Sequence, residues 1–502
     1  MAEYARGSIK KDTSHMEKRE EFVGMLKENQ NKSAVKQEGN KLPQYVCAII
    51  ASIGAFVIGT VLAWTSPTLK LLETENSTAQ LHIAPEKTDE NTFQRMWISA
   101  LTPLGAILGA LPAGYFADLL GRKKTMIFFT VPWIVSWALL IFGTSVAVIY
   151  ISRFLTGIIT GLFCAVLPLY VNEISEDSVR GSLGTLFQVF LTLGILFDYT
   201  LTLTHSYLIV NLACGAVTVL FFAVAFLLPE SHVYLMKKNN RPEAEKSLRR
   251  LRGPYFDIHV ELNELRKNLE NAGEQSLSYS EMFTPVNIKA LAIALGLMLS
   301  QQLSGINAVI FFAEDIFTIA GVKNAALCTI GMGVVQSMAT VASSVLVEKA
   351  GRRLLLLISS IGMGVTLIVL GYYFKIKDDP ANASLGWLPI VCLFFFIIVF
   401  SLGLGPLPWM MSGELLSPEI KSFGSGVAVA TNWICVSIIT GSFGSLTKAI
   451  GESFAFWLFA VIVLIAAAFV FFFVPETKGK SVQDIQLELA GKKPSTQSNG
   501  NA

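Results

Sequence analysis

Charge is what this 502-residue sequence has least of. Only 15% of its residues are Asp, Glu, Lys or Arg, against about 25% in ordinary soluble domains. A soluble chain of this length would split into domains with polar surfaces, and too little charge is present to cover them. That excludes a soluble enzyme, and the apolar content excludes disorder. The formal net charge of +2 gives no broad positive field, so no nucleic-acid partner is expected. Cysteine is sparse: Cys47, Cys164, Cys214, Cys328, Cys392 and Cys435 each sit in or beside an apolar run. None has paired metal-ligand spacing, so neither a disulfide framework nor a metal site is expected. A phosphate-cradling Gly-rich loop of the P-loop kind is missing, which argues against ATP drive, and no cofactor is implied. No cleavable leader is expected either. Residues 1–43 are polar and the first apolar run starts near Tyr45, so that run is expected to be a retained anchor.

What is present is apolar. Hydrophobic residues make up 52% of the chain, with 34 Phe, twelve Tyr and eight Trp, and the mean hydropathy is +0.54. A bilayer core needs about 20 mostly apolar residues in a helix. Twelve such runs lie near 44–66, 97–117, 124–143, 147–170, 183–203, 207–228, 288–312, 326–347, 353–374, 386–412, 423–446 and 453–474. The least regular open near Gln301 and Asn432, where polar side chains interrupt them. The expected fold is an all-helical membrane protein of two six-helix halves. Its units are a tail at 1–43, a bundle at 44–228, a polar helical linker at 229–287, a second bundle at 288–474 and a tail at 475–502. In the linker, Ile258, Leu262, Leu265 and Leu269 recur at helical spacing. They predict an amphipathic helix against a partner surface, with a solvated linker as the alternative.

Lys and Arg set the orientation. With the amino terminus inside, the inner segments hold 31 of the 39 and the outer segments seven. This predicts both termini in the cytoplasm. Outer loops then hold the glycosylation sequons at Asn76 and Asn382, and the inner tail holds an unused one at Asn31. The halves echo each other. Asp118-x-x-Gly-Arg122 follows the second span and Glu348-x-x-Gly-Arg352 the eighth. Glu173 stands seven residues before Arg180, and Glu414 seven before Lys421. Pro-Glu230-Ser closes the sixth span and Pro-Glu476-Thr the twelfth. Three matched pairs in one order imply duplicated halves related by an axis along the membrane normal. Acids and cations gathered at inner helix ends are suited to tie the halves together there as a gate. The alternative is that the cations only hold short loops inside.

Polar side chains at bilayer depth are costly unless they find partners or line a wet cavity. Gln188 lies in the fifth run; Gln301, Gln302, Ser304 and Asn307 in the seventh; Gln336 in the eighth; Asn432 in the eleventh. Trp409 follows Gly-Pro-Leu-Pro, which must disturb the tenth. Amides donate to and accept from hydroxyls and Trp stacks on apolar ring faces, so the set suits a sugar. The alternative is bonding between helices with no ligand.

The strings GYFADLLGRKK, RFLTGIITG, PLYVNEISEDSVRG, PESHVYL, QQLSGINAVIFF, VEKAGRR, GPLPW and PETKGKS resemble the sugar porter family of the major facilitator superfamily over about residues 44–490. Within it, the first span ending GTVLAWTSP is most similar to insect facilitated trehalose transporters. The resemblance implies alternating access around a central sugar site formed by Gln188, Gln301, Gln302, Asn307, Gln336, Trp409, Asn432 and Trp433. It implies an inner gate of Asp118, Arg122, Glu173, Arg180, Glu348, Arg352, Glu414 and Lys421, with Glu230 and Glu476. His232-Val233 replaces the family's Pro-Arg. Ser401 and Gln336 stand where vertebrate glucose carriers have Glu and Asn, which argues against strict glucose selectivity.

The expectation is a plasma-membrane carrier, not an enzyme, that moves a small sugar such as trehalose or glucose down its gradient. The alternatives are proton-coupled symport and, less favoured, a carrier-like sugar sensor. Proton-coupled members carry an Asp in the first span near the Arg matching Arg153, and no acid lies between Gln44 and Trp64. That favours uniport. Asp198, in the fifth span at a depth like that of Arg153, is the candidate coupling residue, with an ion pair to Arg153 as the bland alternative.

Overall fold

A computed structural model describes residues 39–73, 89–176, 178–274, 284–417, 420–480 and 482–491. Among these residues the secondary structure is helical throughout. The first span is Leu42–Ala63, and the second is a bent pair, Glu90–Ala110 and Ala113–Leu120, turning by 49°. The third to sixth are Arg122–Phe142, Val146–Ile174, Arg180–Thr204 and Tyr207–Ala225. The seventh to tenth are Pro285–Phe311, Ala325–Val347, Arg352–Ile376 and Leu388–Leu415. The last apolar helix, Gly424–Phe473, runs for 50 residues. At 1.5 Å per residue it would be about 75 Å long, over twice a bilayer core. It breaks at Gly451, where φ is 81°, and so supplies the eleventh and twelfth segments.

The starts of these helices are set by ordinary capping. Ser145 Oγ accepts from Val148 N, Ser206 Oγ from Ile209 N, and Thr284 Oγ1 from Asn287 N beside Pro285. Two spans are broken where the sequence loses helix-forming side chains. The seventh is interrupted at Leu303–Gly305, with Gly305 at φ 86°. The tenth is interrupted between Leu402 and Leu407, at Gly-Leu-Gly-Pro.

The first and seventh spans start at one end of the bundle, beside the linker, and finish at the other. Asn40 N donates to Arg252 O of the linker at 2.7 Å. The linker folds as three short helices, His232–Lys237, Arg241–Arg252 and Ile258–Glu274. They share a separate small core of Met236, Ala244, Leu248, Ile258 and Leu262, with Leu265 and Leu269 at its edge. The linker helices themselves are therefore the partner surface for the amphipathic face. Arg252 docks this unit on the first half. Its guanidinium donates to Ile174 O at 2.8 Å and to Glu261 Oε1 at 2.8 Å. Between the halves, the second span packs on the eleventh and the fifth on the eighth.

Candidate functional site

The breaks in the seventh and tenth spans position a buried network of amides. Gln301 Nε2 donates to Leu404 O at 2.7 Å and Gly405 O at 2.6 Å. It thereby satisfies carbonyls that the Gly-Pro break leaves without helical partners. Gln302 Nε2 donates to Asn432 Oδ1 at 2.8 Å and to Gln301 Oε1 at 3.2 Å. Asn432 Nδ2 donates in turn to Gln301 Oε1 at 2.8 Å, and Asn307 Nδ2 donates to Gln302 Oε1. All four residues are buried. Counting lone pairs and protons, Gln301 is saturated within this network, while Asn307 Oδ1 and one lone pair of Gln302 Oε1 stay available.

The other four expected sugar contacts make no described hydrogen bond to this network. Gln336 and Trp433 are buried, and Gln336 Oε1 and Trp433 Nε1 have no partner. Gln188, on the fifth span that packs against the eighth, and Trp409, just past the Gly-Pro break, are half-buried. Ser401 Oγ is a further buried hydroxyl without a partner. Buried polar groups rarely stay unpaired without reason. These three atoms offer what a polyhydroxyl ligand needs: an amide acceptor, a hydroxyl and an indole N–H.

At the linker end much of the sequence repeat reappears as matching contacts in the two halves. Gly121 and Gly351 take φ 95° and 87°, conformations that favour glycine. Each turns the chain so that a carboxylate caps the next helix. Glu230 Oε1 accepts from Arg122 N and Lys123 N at 2.9 and 3.1 Å. Glu476 accepts from Arg352 N and Arg353 N at 3.0 Å each. These bonds hold the Glu476 carboxyl below its ordinary value despite the opposing effect of burial. Arg122 pairs with Asp118 at 2.8 Å and Glu173 at 2.7 Å, and Arg352 with Glu414 at 3.3 Å. Ser231 and Thr477 hydroxyls donate to Glu173 and Glu414 Oε2. The Glu348 side chain lies outside the described residues.

The partners described for each cluster belong to its own half. The reason is local: each guanidinium has carboxylates on its own half within reach. Across the halves, Arg180 and Lys421 lie near enough to influence one another. The Lys421 ammonium is held below its ordinary value first by partial burial, then by Arg180 of the other half, against the pull of Glu414. Arg180 itself donates to Ser175 O at 3.5 Å.

Arg153 and Asp198 do not form the direct ion pair that stood as the bland alternative. The Arg153 guanidinium lies over the Trp64 ring, 4.5 Å from its centroid. It donates to Thr65 Oγ1 at 3.1 Å and to the carbonyls of Val61 and Ile98 at 3.4 Å. Asp198 is fully buried. Its Oδ1 accepts from Cys214 Sγ at 3.4 Å, and its Oδ2 has no partner.

At the end opposite the linker the halves are joined by charges that sequence reasoning missed. Lys70 Nζ is 3.2 Å from Glu314 Oε1 and 2.6 Å from Thr318 Oγ1. Arg95 pairs with Asp315. Glu314 N donates to Ser66 Oγ at 3.3 Å, and Tyr199 Oη to Ile310 O at 2.8 Å. Burial pushes the Glu314 carboxyl above its ordinary value, with Lys70 pulling it back. The partners lie up to 248 residues apart and belong to no repeat, so only their place just past apolar runs marked them. Asn382 lies at this end, its Nδ2 donating to Ile376 O at 3.2 Å; Asn76 and Asn31 lie outside the described residues.

Residues 47–489 match the family model described as "Sugar (and other) transporter". The facilitated trehalose transporter Tret1 of Drosophila mojavensis is 36% identical over 453 residues, covering 89% of this chain and 52% of that protein. Its namesake from Anopheles gambiae is 36% identical, with 89% and 56% covered. The chain thus spans about half the length of the curated relatives it matches. Among solved structures, the inward open conformation of the xylose transporter XylE from E. coli superposes with a TM-score of 0.74 at 23% identity, covering 89% of this chain and 99% of that one. The partially occluded inward open form gives the same score, with 87% and 99% covered.

Proposed function

Because this chain belongs to the sugar transporter family, we propose that it is a facilitative sugar carrier working by alternating access, with trehalose as the first substrate to test. The observation that carries this reading is the amide network of Gln301, Gln302, Asn307 and Asn432 at the breaks of two spans. It holds acceptors in place at mid-membrane depth without placing a fixed charge there. A neutral polyhydroxyl solute exchanges hydrogen bonds with such groups at little electrostatic cost. Gln302, Asn307, Gln336 and Trp433 touch sugar hydroxyls in this scheme. Gln188 and Asn432 complete the polar ring, Trp409 stacks on the sugar, and Gln301 clasps the seventh span to the tenth.

The linker end is the cytoplasmic end in this reading, as the excess of Lys and Arg there requires, and the membrane is the plasma membrane. The duplicated Arg–Glu clusters stiffen each half so that it moves as one body. Their gating role is to meet across the halves when the cytoplasmic side closes. Glycan on Asn76, shifted by endoglycosidase and lost in Asn76→Gln, supports the orientation; glycan on Asn31 reverses it. Asn382, whose Nδ2 donates to Ile376 O, is the second sequon to test.

One observation favours proton coupling as the second reading: the buried Asp198 carboxyl with an unpartnered Oδ2. Labelled trehalose and glucose uptake, with and without a proton ionophore, separates the two. Uniport predicts entry that stops at equilibrium and is unmoved by the ionophore. Uphill entry driven by a pH gradient and lost in Asp198→Asn makes the carrier a symporter.

A further inference from the structure

We propose that Lys70–Glu314 and Arg95–Asp315 form an ionic latch that closes the extracellular side of the carrier and sets the balance between its inward- and outward-facing states. The proposal rests on the alternating-access reading above. Four observations carry it. The pairs join opposite halves, from segments 244 and 220 residues apart. They sit at the end opposite the linker, on the short helix Thr65–Glu73 after the first span, at the start of the second, and on Ala313–Ile319 after the seventh. They are half withdrawn from solvent: Glu314 and Asp315 side chains are 12% and 20% exposed, Lys70 and Arg95 28% and 19%. They are also reinforced by neutral bonds across the same seam, Lys70 to Thr318, Glu314 N to Ser66 and Tyr199 to Ile310.

At the linker end, by contrast, the described pairs of Arg122 and Arg352 stay within one half, and Arg180 and Lys421 present like charges across the seam. The cross-half ion pairs described above therefore lie at the end opposite the linker. An isolated exposed ion pair contributes little, but two shielded pairs that exist in one state and not the other act on the equilibrium in full. Opening the outer side must break both, and the fused position of Glu314 and Asp315 on one helix means they break together.

Hydrogen exchange on the purified full-length protein, without sugar, tests the latch directly. Glu314→Gln and Asp315→Asn are expected to speed exchange in Thr65–Glu73 and Ala313–Ile319, and to slow it at the linker-end starts of the fifth and eleventh spans as that side closes. The charge exchange Lys70→Glu with Glu314→Lys should return both regions toward wild type. Zero-trans flux gives the second readout: the ratio of exit to entry half-saturation should rise about two- to fivefold in each neutralised variant. Faster exchange at the far end with no response at the linker end would reduce the pairs to local staples and overturn the proposal, as would no change at either end. If the wild-type protein moves no sugar, the carrier reading fails while the exchange pattern still decides the latch.

Discussion

The Gln302 amide donates to Asn432 Oδ1 at 2.8 Å, joining the seventh span to the eleventh across 130 residues of sequence. Since the two side chains bond to each other and both to Gln301, their mutational effects should not add. Gln302→Ala and Asn432→Ala are each expected to raise the half-saturation for sugar, by about 1–3 kcal/mol of lost binding. The double variant should be little worse than either single one. Additive losses in a double-mutant cycle would mean that the two amides act independently.

Trp433 offers a sharper probe, because Phe keeps its packing and removes one proton donor. Trp433→Phe should fold and reach the surface normally, yet bind sugar about tenfold more weakly, as expected for one lost hydrogen bond in a buried site. Gln336→Leu should do the same. Unchanged half-saturation in both variants would remove these two residues from the site.

The duplicated clusters predict unequal stability effects. Arg122 and Glu173 side chains are 2% and 10% exposed, whereas Glu414 is 27% exposed. Glu173→Gln leaves a buried guanidinium without its nearer partner and should cost on the order of 3 kcal/mol. Glu414→Gln should cost about 1 kcal/mol or less. Melting of the purified variants in detergent ranks them. Equal losses would contradict the burial argument.

His232 makes linker docking sensitive to acid. Its Nδ1 is buried without a partner and its Nε2 lies 3.7 Å from Glu261. Burial, with Arg252 nearby, pushes the imidazole down to about 3. The folded state thus refuses a proton that the unfolded state accepts below about pH 6.5. Above that pH the group costs nothing; between 6.5 and 3 stability falls as pH falls, by up to about 1.4 kcal/mol per unit. Melting measured from pH 7.5 to 5 should drop more steeply for wild type than for His232→Gln. Parallel slopes would rule His232 out as the cause.

Much of this was legible in sequence because lipid imposes a length rule. Apolar runs of about 20 residues, punctuated by charge, can hardly be read otherwise, and the Arg–Glu repeats marked the duplicated helix ends. The rule fails where it has no contrast. The eleventh and twelfth runs are separated by a kink at Gly451 and not by a long polar loop. The bent second span begins eight residues before its apolar core, at Asp89. Partners across the seam were the least legible part. Nothing near Lys70 marks Glu314, and Arg153 gave no sign that its neighbour would be the Trp64 ring and not Asp198. Periodicity reports which face of one helix is apolar; it carries no information on which distant helix that face meets.

Counterflow in proteoliposomes loaded with unlabelled trehalose tests the carrier reading most directly. External labelled trehalose should enter, overshoot its equilibrium level and decay back, with no proton gradient present and with a smaller overshoot in Gln302→Ala. Glucose loaded in place of trehalose shows whether the site accepts the smaller sugar. A protein that reconstitutes intact but gives no overshoot with either sugar would contradict the account.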